Sequence, residues 1–130
     1  MTVQNLDVAC AKLGAKLAAS GNKDTENSIT KSLGVLEEQG VYALFLYLHA
    51  REKNWGQTTS QALADFLREQ PSPQNALLNA AANQNELFQA LHQLAADLDK
   101  LLFARDLLHR ALVYARYHAK AAQKIPSETT

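Results

Sequence analysis

Apolar residues recur at helical spacing along most of the chain. Over residues 4–20, Leu6, Cys10, Leu13 and Leu17 fall at steps of four, three and four, one stripe of an α-helix. Gly21 and Asn22 then supply a stop and a turn. The polar run Asn22–Asn27 reads as a loop that offers Asp24, Thr25 and Asn27 as helix N-caps. A second helix is predicted over 28–39 on the face of Ile29, Leu33 and Leu36, closed by Gly40. The segment Val41–Lys53 predicts a third helix of a different kind. Val41, Leu44, Phe45 and Leu48 form one face, while Tyr42, Ala43, Leu46 and Tyr47 leave almost no polar side. A helix apolar all round belongs at the centre of a bundle, with Arg51, Glu52 and Lys53 as its solvent-facing end.

Further along, Thr58-x-x-Gln61 has the form of a capping box and opens a predicted helix carrying Leu63, Phe66 and Leu67. Pro71 and Pro73 interrupt the helices, and Ser72-Pro73 predicts a short helix running to about Ala82. From Asn83 to Lys124 there is neither Gly nor Pro. That span is too long for one typical globular helix, so a break is placed near Ala96–Asp97, with Asp97 capping the new start. The pattern therefore predicts an all-α protein: a single compact bundle of about six or seven helices. Residues 1–124 form one helical domain, and 125–130 a frayed tail.

Composition narrows the class. The 130 residues suit one domain, and 47% apolar with 20% charged residues is globular. Aromatics at 7%, five Gly and three Pro leave too little strand and turn material for an all-β fold. One cysteine, Cys10, excludes a disulfide framework and a Cys-based zinc finger. No stretch approaches the ~18 apolar residues of a membrane span, and MTVQNLDVAC is not a secretion signal. The expectation is a soluble cytoplasmic protein with no membrane partner.

The formal net charge is zero, which at first argues against nucleic acid, but the charge is unevenly placed. Residues 1–50 carry −1, residues 51–99 carry −3, residues 100–124 carry +5, and Glu128 restores neutrality. At about 100° per residue with Arg105 at 0°, Arg116 lies near 20°, His109 near 40°, Lys120 near 60°, Lys124 near 100°, Tyr117 near 120° and Arg110 near 140°. Ala104, Leu107, Leu108, Ala111, Ala115 and Ala122 gather opposite, between about 200° and 300°. Leu112 and Val113 fall on or beside the basic side. The result is a basic stripe about 20 Å long at 1.5 Å rise per residue. Such a stripe can follow the phosphates of an extended strand, with Tyr117 placed to stack on a base or sugar. It can equally be a solvated face whose cations complement the helix C-terminus. On the first helix, Lys12 and Lys16 at i,i+4 can extend the basic surface.

Catalytic patterns are mostly missing. Asp106-x-x-His109 occurs once, where helical metal sites pair two such elements, so no metal or cofactor is expected. Helical ribonucleases of the HEPN type carry Arg, four to six residues, then His. Arg105 to His109 has three intervening residues and Arg110 to His118 has seven. His118 falls near 220° on the core side, which reads as a packing histidine. Cys10 sits in the core stripe without an activating base. There is no phosphate-cradling Gly-rich loop and no serine-nucleophile motif. Trp55, Tyr42 and Tyr47 read as core anchors. The chain is therefore expected not to be an enzyme.

Two segments together carry a family likeness. One is Gly40-Val-Tyr-Ala-Leu-Phe-Leu-Tyr-Leu-His-Ala-Arg-Glu-Lys53, a Gly that opens a nearly all-apolar helix ending in charge. The other is Leu107-Leu-His-Arg-Ala-Leu-Val-Tyr-Ala-Arg-Tyr-His-Ala-Lys-Ala121, with Arg116, Tyr117, Ala119 and Lys120 as a basic-aromatic-Ala-basic ending. In this order, over roughly residues 5–122, the chain resembles the small α-helical subunit of type III CRISPR effector complexes, the Cmr-type small subunit. The resemblance implies a non-catalytic, RNA-binding role in antiviral defence. Its partners would be guide RNA and target RNA, the backbone subunits of the complex and neighbouring copies of itself. Arg105, His109, Arg116 and Lys120 would carry most phosphate contacts, with Lys124, Arg110, Lys12 and Lys16 secondary. Base pairing would read sequence while the protein touches phosphates. A helical protein–protein adaptor without RNA contact is the alternative, and a degenerate HEPN-like enzyme a third.

Overall fold

The computed structural model describes residues 4–19, 23–51, 53–70, 76–78 and 84–124. Within them the chain forms α1 (Gln4–Leu17), α2 (Lys23–Gln39), α3 (Val41–Arg51), α4 (Lys53–Glu69), α5 (Gln84–Ala95) and α6 (Leu98–Lys124). No strand occurs among the described residues, and the helices pack as a compact all-α bundle. No described helix is long and apolar enough to cross a membrane.

Two boundaries follow directly from their residues. Gly40 has φ +101°, a left-handed conformation that Gly adopts without a Cβ penalty. Its N–H donates to the Val35 and Leu36 carbonyls at 3.2 and 3.1 Å, ending α2, and its own carbonyl accepts from Leu44 N at 3.0 Å, starting α3. Asp97 caps α6 as its position predicts: Oδ1 accepts from Lys100 N at 3.2 Å, and its carbonyl accepts from Leu101 N at 2.9 Å. Past α4, the amides of Leu77 and Leu78 donate to the Leu67 carbonyl at 3.0 and 3.2 Å, satisfying an end that helical bonds leave open.

Other boundaries differ from the expectation. Helix α2 begins at Lys23, so most of the predicted loop is its first two turns, and Thr25 and Glu26 are buried. Helix α4 begins at Lys53, which puts Thr58 and Gln61 inside the helix rather than in a capping box. Helix α1 stops at Leu17 instead of residue 20, and the Gly21-Asn22 turn lies outside the described residues. The helix predicted from Ser72 to Ala82 falls mostly outside them too; the described part, residues 76–78, is not helical.

Helix α3 packs among α2, α4 and α5, as its apolar pattern predicts, and α6 packs most closely against α1 and α2. Ala104, Leu108, Ala111, Leu112, Ala115 and Ala119 of α6 are fully buried. These are mostly small side chains, so α1 and α2 can come close on either flank. Gly14 of α1 lies close against α6: a Cβ there would lie 2.6 Å from Tyr114 Cβ, 2.8 Å from Ala115 N and 2.9 Å from Ala111 O. Helix α3 buries Val41, Leu44, Phe45 and Leu48, half-buries Tyr42 and Tyr47 against the core, and leaves Leu46 47% exposed. Burying each such Leu or Phe contributes roughly 1.5–3 kcal/mol.

Polar and aromatic contacts join the remaining helices. Trp55 Nε1 donates to the Leu17 carbonyl at 3.2 Å, fixing the start of α4 on the end of α1. Helix α5 meets α3 through rings: Tyr42 lies 5.5 Å from Phe88 and 4.7 Å from His92, and His49 lies 5.5 Å from Phe88.

Candidate nucleic-acid interface

Helix α6 lies in the trough between α1 and α2, so its outward side has two rims and a ridge. Along the α2 rim, Arg105 Nη2 donates to the Glu37 carbonyl at 3.2 Å, and His109 Nε2 meets Glu37 Oε2 at 2.6 Å. About three turns further on, Lys120 Nζ reaches Glu26 Oε2 at 3.0 Å. Since α2 runs antiparallel to α6, its two ends place one carboxylate beside each end of the basic row. Glu26 has a side chain only 8% exposed, so its pairing with Lys120 is better shielded than a surface ion pair.

The α1 rim carries a second set. Arg110 Nη2 bonds Asp106 Oδ2 at 3.1 Å and Nη1 reaches Asp7 Oδ1 at 3.5 Å. The Tyr114 hydroxyl donates to the Asp7 carboxylate, 3.0 Å from each oxygen. That bond holds the Tyr114 pKa above its ordinary value, with desolvation and the Asp7 charge adding and Arg110 opposing. Behind this rim, Cys10 is buried and its Sγ lies 3.6 Å from the Leu107 carbonyl. Burial pushes its thiol up to about 11, with Arg110 pulling the other way.

Arg116, on the α2 side of the helix, and Tyr117, about 100° further round toward the α1 side, are both exposed and without a side-chain partner among the described residues; Tyr117 is 67% exposed. The stripe therefore divides into four side chains held by acceptors on α1, α2 or α6 itself (Arg105, His109, Arg110 and Lys120) and one free arginine followed in sequence by a free aromatic ring. Lys124 lies in α6, but its side chain is outside the described residues.

Lys12 and Lys16 do not join this face. On α1 they lie about 140° and 180° around the helix from Asp7, which points to α6. They are exposed and border a groove between α1 and α4. His118 and Ala122, placed on the core side by the helical wheel, are both exposed. The buried arc at that level is centred on Ala115 and Ala119, and no described helix covers the side where His118 and Ala122 lie. Leu112 moves the other way: α2 covers that flank and buries it completely.

One pair was not legible from the sequence. Ser60 Oγ and His49 Nε2 share a hydrogen bond of 2.9 Å between α4 and α3. Ser60 is 1% exposed, so its hydroxyl is closed to solvent, and the contact works as an interhelical tie. Neither residue belongs to a local motif. Comparison with protein-family models, curated proteins and solved structures finds no match to this chain.

Proposed function

We propose that the chain is a non-catalytic helical subunit of an RNA–protein effector of the type III CRISPR kind, contacting the RNA backbone along the outward ridge of α6. The observation that carries this reading is the free Arg116–Tyr117 pair on a helix segment of charge +5. Arginine offers phosphate a planar, two-pronged donor, and an exposed tyrosine offers a base or sugar a stacking surface. Lys120, one turn from Arg116, adds positive potential while staying tied to Glu26, and His109 stands two turns the other way, hydrogen-bonded to Glu37. The likeness of the Gly40–Lys53 and Leu107–Ala121 segments to the Cmr-type small subunit supports the class, and a protein of that class works in the cytoplasm.

The second reading, a protein–protein adaptor without RNA contact, draws on those same ion pairs. Carboxylates from α1 and α2 already neutralise much of the stripe, as they would in a face built for packing. The two readings separate on Arg116 and Tyr117. Binding of a labelled single-stranded RNA at low salt is expected to weaken as salt rises, by a log–log slope of roughly −0.7 per neutralised phosphate. Arg116→Glu with Tyr117→Ala is expected to remove that binding without moving the unfolding midpoint, since neither side chain has a partner to lose. Equal binding by wild type and double variant refutes the RNA ridge and favours the adaptor.

A further inference from the structure

The groove between α1 and α4 has a charge pattern that the RNA ridge does not explain. Its floor is apolar: Ala9 and Leu13 come from α1, Ala62 and Phe66 from α4. One rim is basic, with Lys12 and Lys16 one helical turn apart on α1. The other is acidic, with Asp65 and Glu69 one turn apart on α4. A cavity of about 390 Å³ lies over this floor, and one of about 360 Å³ continues it toward Gln57, sharing Lys16, Ala62 and Asp65. From Gln57 to Gln70 the groove runs about 20 Å at the helical rise.

The two rims face each other without pairing. Asp65 is engaged along its own helix, by Arg68 at 2.8 Å and Gln61 at 2.9 Å. Lys12, Lys16 and Glu69 enter no ion pair among the described residues. Opposite charges flanking an apolar trough suit an occupant with the complementary order: carboxylates toward α1, an apolar edge downward, cations toward α4. Nucleic acid does not fit, because phosphates drawn to the lysine rim would face Asp65 and Glu69 across the groove. An extended peptide projects side chains on two opposite faces only, whereas an α-helix presents an apolar stripe with a distinct flank on each side.

We propose that this groove is a docking site for an amphipathic α-helix of a partner protein, one flank acidic and the other basic. The site is separate from the α6 ridge, so the chain holds protein on one face and keeps another for its second ligand. Lys12 and Lys16 select the acidic flank of the incoming helix, and Asp65 and Glu69 select the basic one.

Three designed helical peptides of about eighteen residues test this; each carries leucines at i, i+4, i+7 and i+11. One has glutamates on one flank and lysines on the other, the second glutamates on both, the third lysines on both. Anisotropy with the full chain is expected to show the mixed peptide binding ~10-fold tighter than either uniform one. Lys12→Glu with Lys16→Glu makes both rims acidic and is expected to reverse the order in favour of the lysine-only peptide. Circular dichroism should show this variant as helical as wild type, because both lysines are exposed and unpaired. Equal binding of the three peptides, or an unchanged order in the variant, overturns the proposal. Sedimentation of the chain alone provides a further arm: concentration-dependent self-association that the same double substitution abolishes would make the occupant a second copy, and would overturn the assignment to a partner protein.

Discussion

Gly14→Ala tests the close packing of α1 on α6. The added Cβ would arrive 2.6 Å from Tyr114 Cβ, 2.8 Å from Ala115 N and 2.9 Å from Ala111 O. Comfortable contact between carbon atoms needs roughly 3.5–4.0 Å, so the helices must separate by about 1 Å. Two of the three obstacles are backbone atoms of α6, so no side-chain rotation relieves them. Separation loosens the seam along Cys10, Ala111 and Ala115, which are all fully buried. Overpacking of this kind costs about 1–3 kcal/mol, and contact with backbone puts it at the upper end. Alanine returns up to about 1 kcal/mol of helix propensity, leaving a net loss of about 2 kcal/mol. For a chain of this size that is a fall in Tm of roughly 6–10 °C. The comparison is Gly34→Ala, at a mid-helix glycine where a Cβ meets nothing within 4 Å. There the propensity term acts alone and should raise stability by about 0.5–1 kcal/mol. Urea denaturation followed by far-UV circular dichroism reads both. If Gly14→Ala proves as stabilising as Gly34→Ala, α1 and α6 do not cross at this distance and the seam is wrongly described.

Three further outcomes are expected. Lys120→Glu sets a carboxylate beside the buried Glu26 and should destabilise by about 1–3 kcal/mol, whereas Arg116→Glu should stay within ~0.5 kcal/mol; equal urea midpoints would contradict the ion pair. Gly40→Ala forces a Cβ into the φ +101° conformation and should cost about 1 kcal/mol although the space around it is open, again by urea midpoint. The Cys10 thiol ionises near 11 in the fold against 9.0 ordinarily, so the fold favours its protonated form; the resulting stability is complete below pH 9 and lost as pH rises toward 11. Wild type should therefore lose more stability between pH 9 and 11 than Cys10→Ala, and parallel curves would refute the buried thiol.

The sequence carried some of these features openly and hid others for physical reasons. Gly40 and Asp97 were readable because a left-handed stop and an N-cap each depend on one residue type at one place. The starts of α2 and α4 were missed because Lys23–Ser28 and Lys53–Thr58 contain almost no apolar residues, and periodicity cannot register a polar turn. The buried Glu26 meets Lys120 of α6, more than ninety positions away. The close packing of α6 has a similar origin. Hydropathy points to the Leu-rich α3, which does pack among α2, α4 and α5, but gives no sign that the Ala-rich face of α6 lies against Gly14. On the candidate site, the helical wheel groups Arg105, His109 and Lys120, which all meet acceptors on α2, with the exposed Arg116. It could not say that Glu37 lies 72 positions from His109 and beside it, or that Asp7 lies 103 positions from Arg110. Charge partition along a chain locates a basic helix, and only the neighbours on α1 and α2 decide which of its cations remain free.

The reading of α6 as the RNA-contacting element stands most directly on ultraviolet crosslinking of the bound chain to RNA, with the attached peptides mapped by mass spectrometry. Crosslinks should concentrate on Tyr117 and its neighbours between Arg116 and Lys120 and disappear in Arg116→Glu with Tyr117→Ala. Crosslinks confined to other helices, or unchanged in that variant, would contradict it.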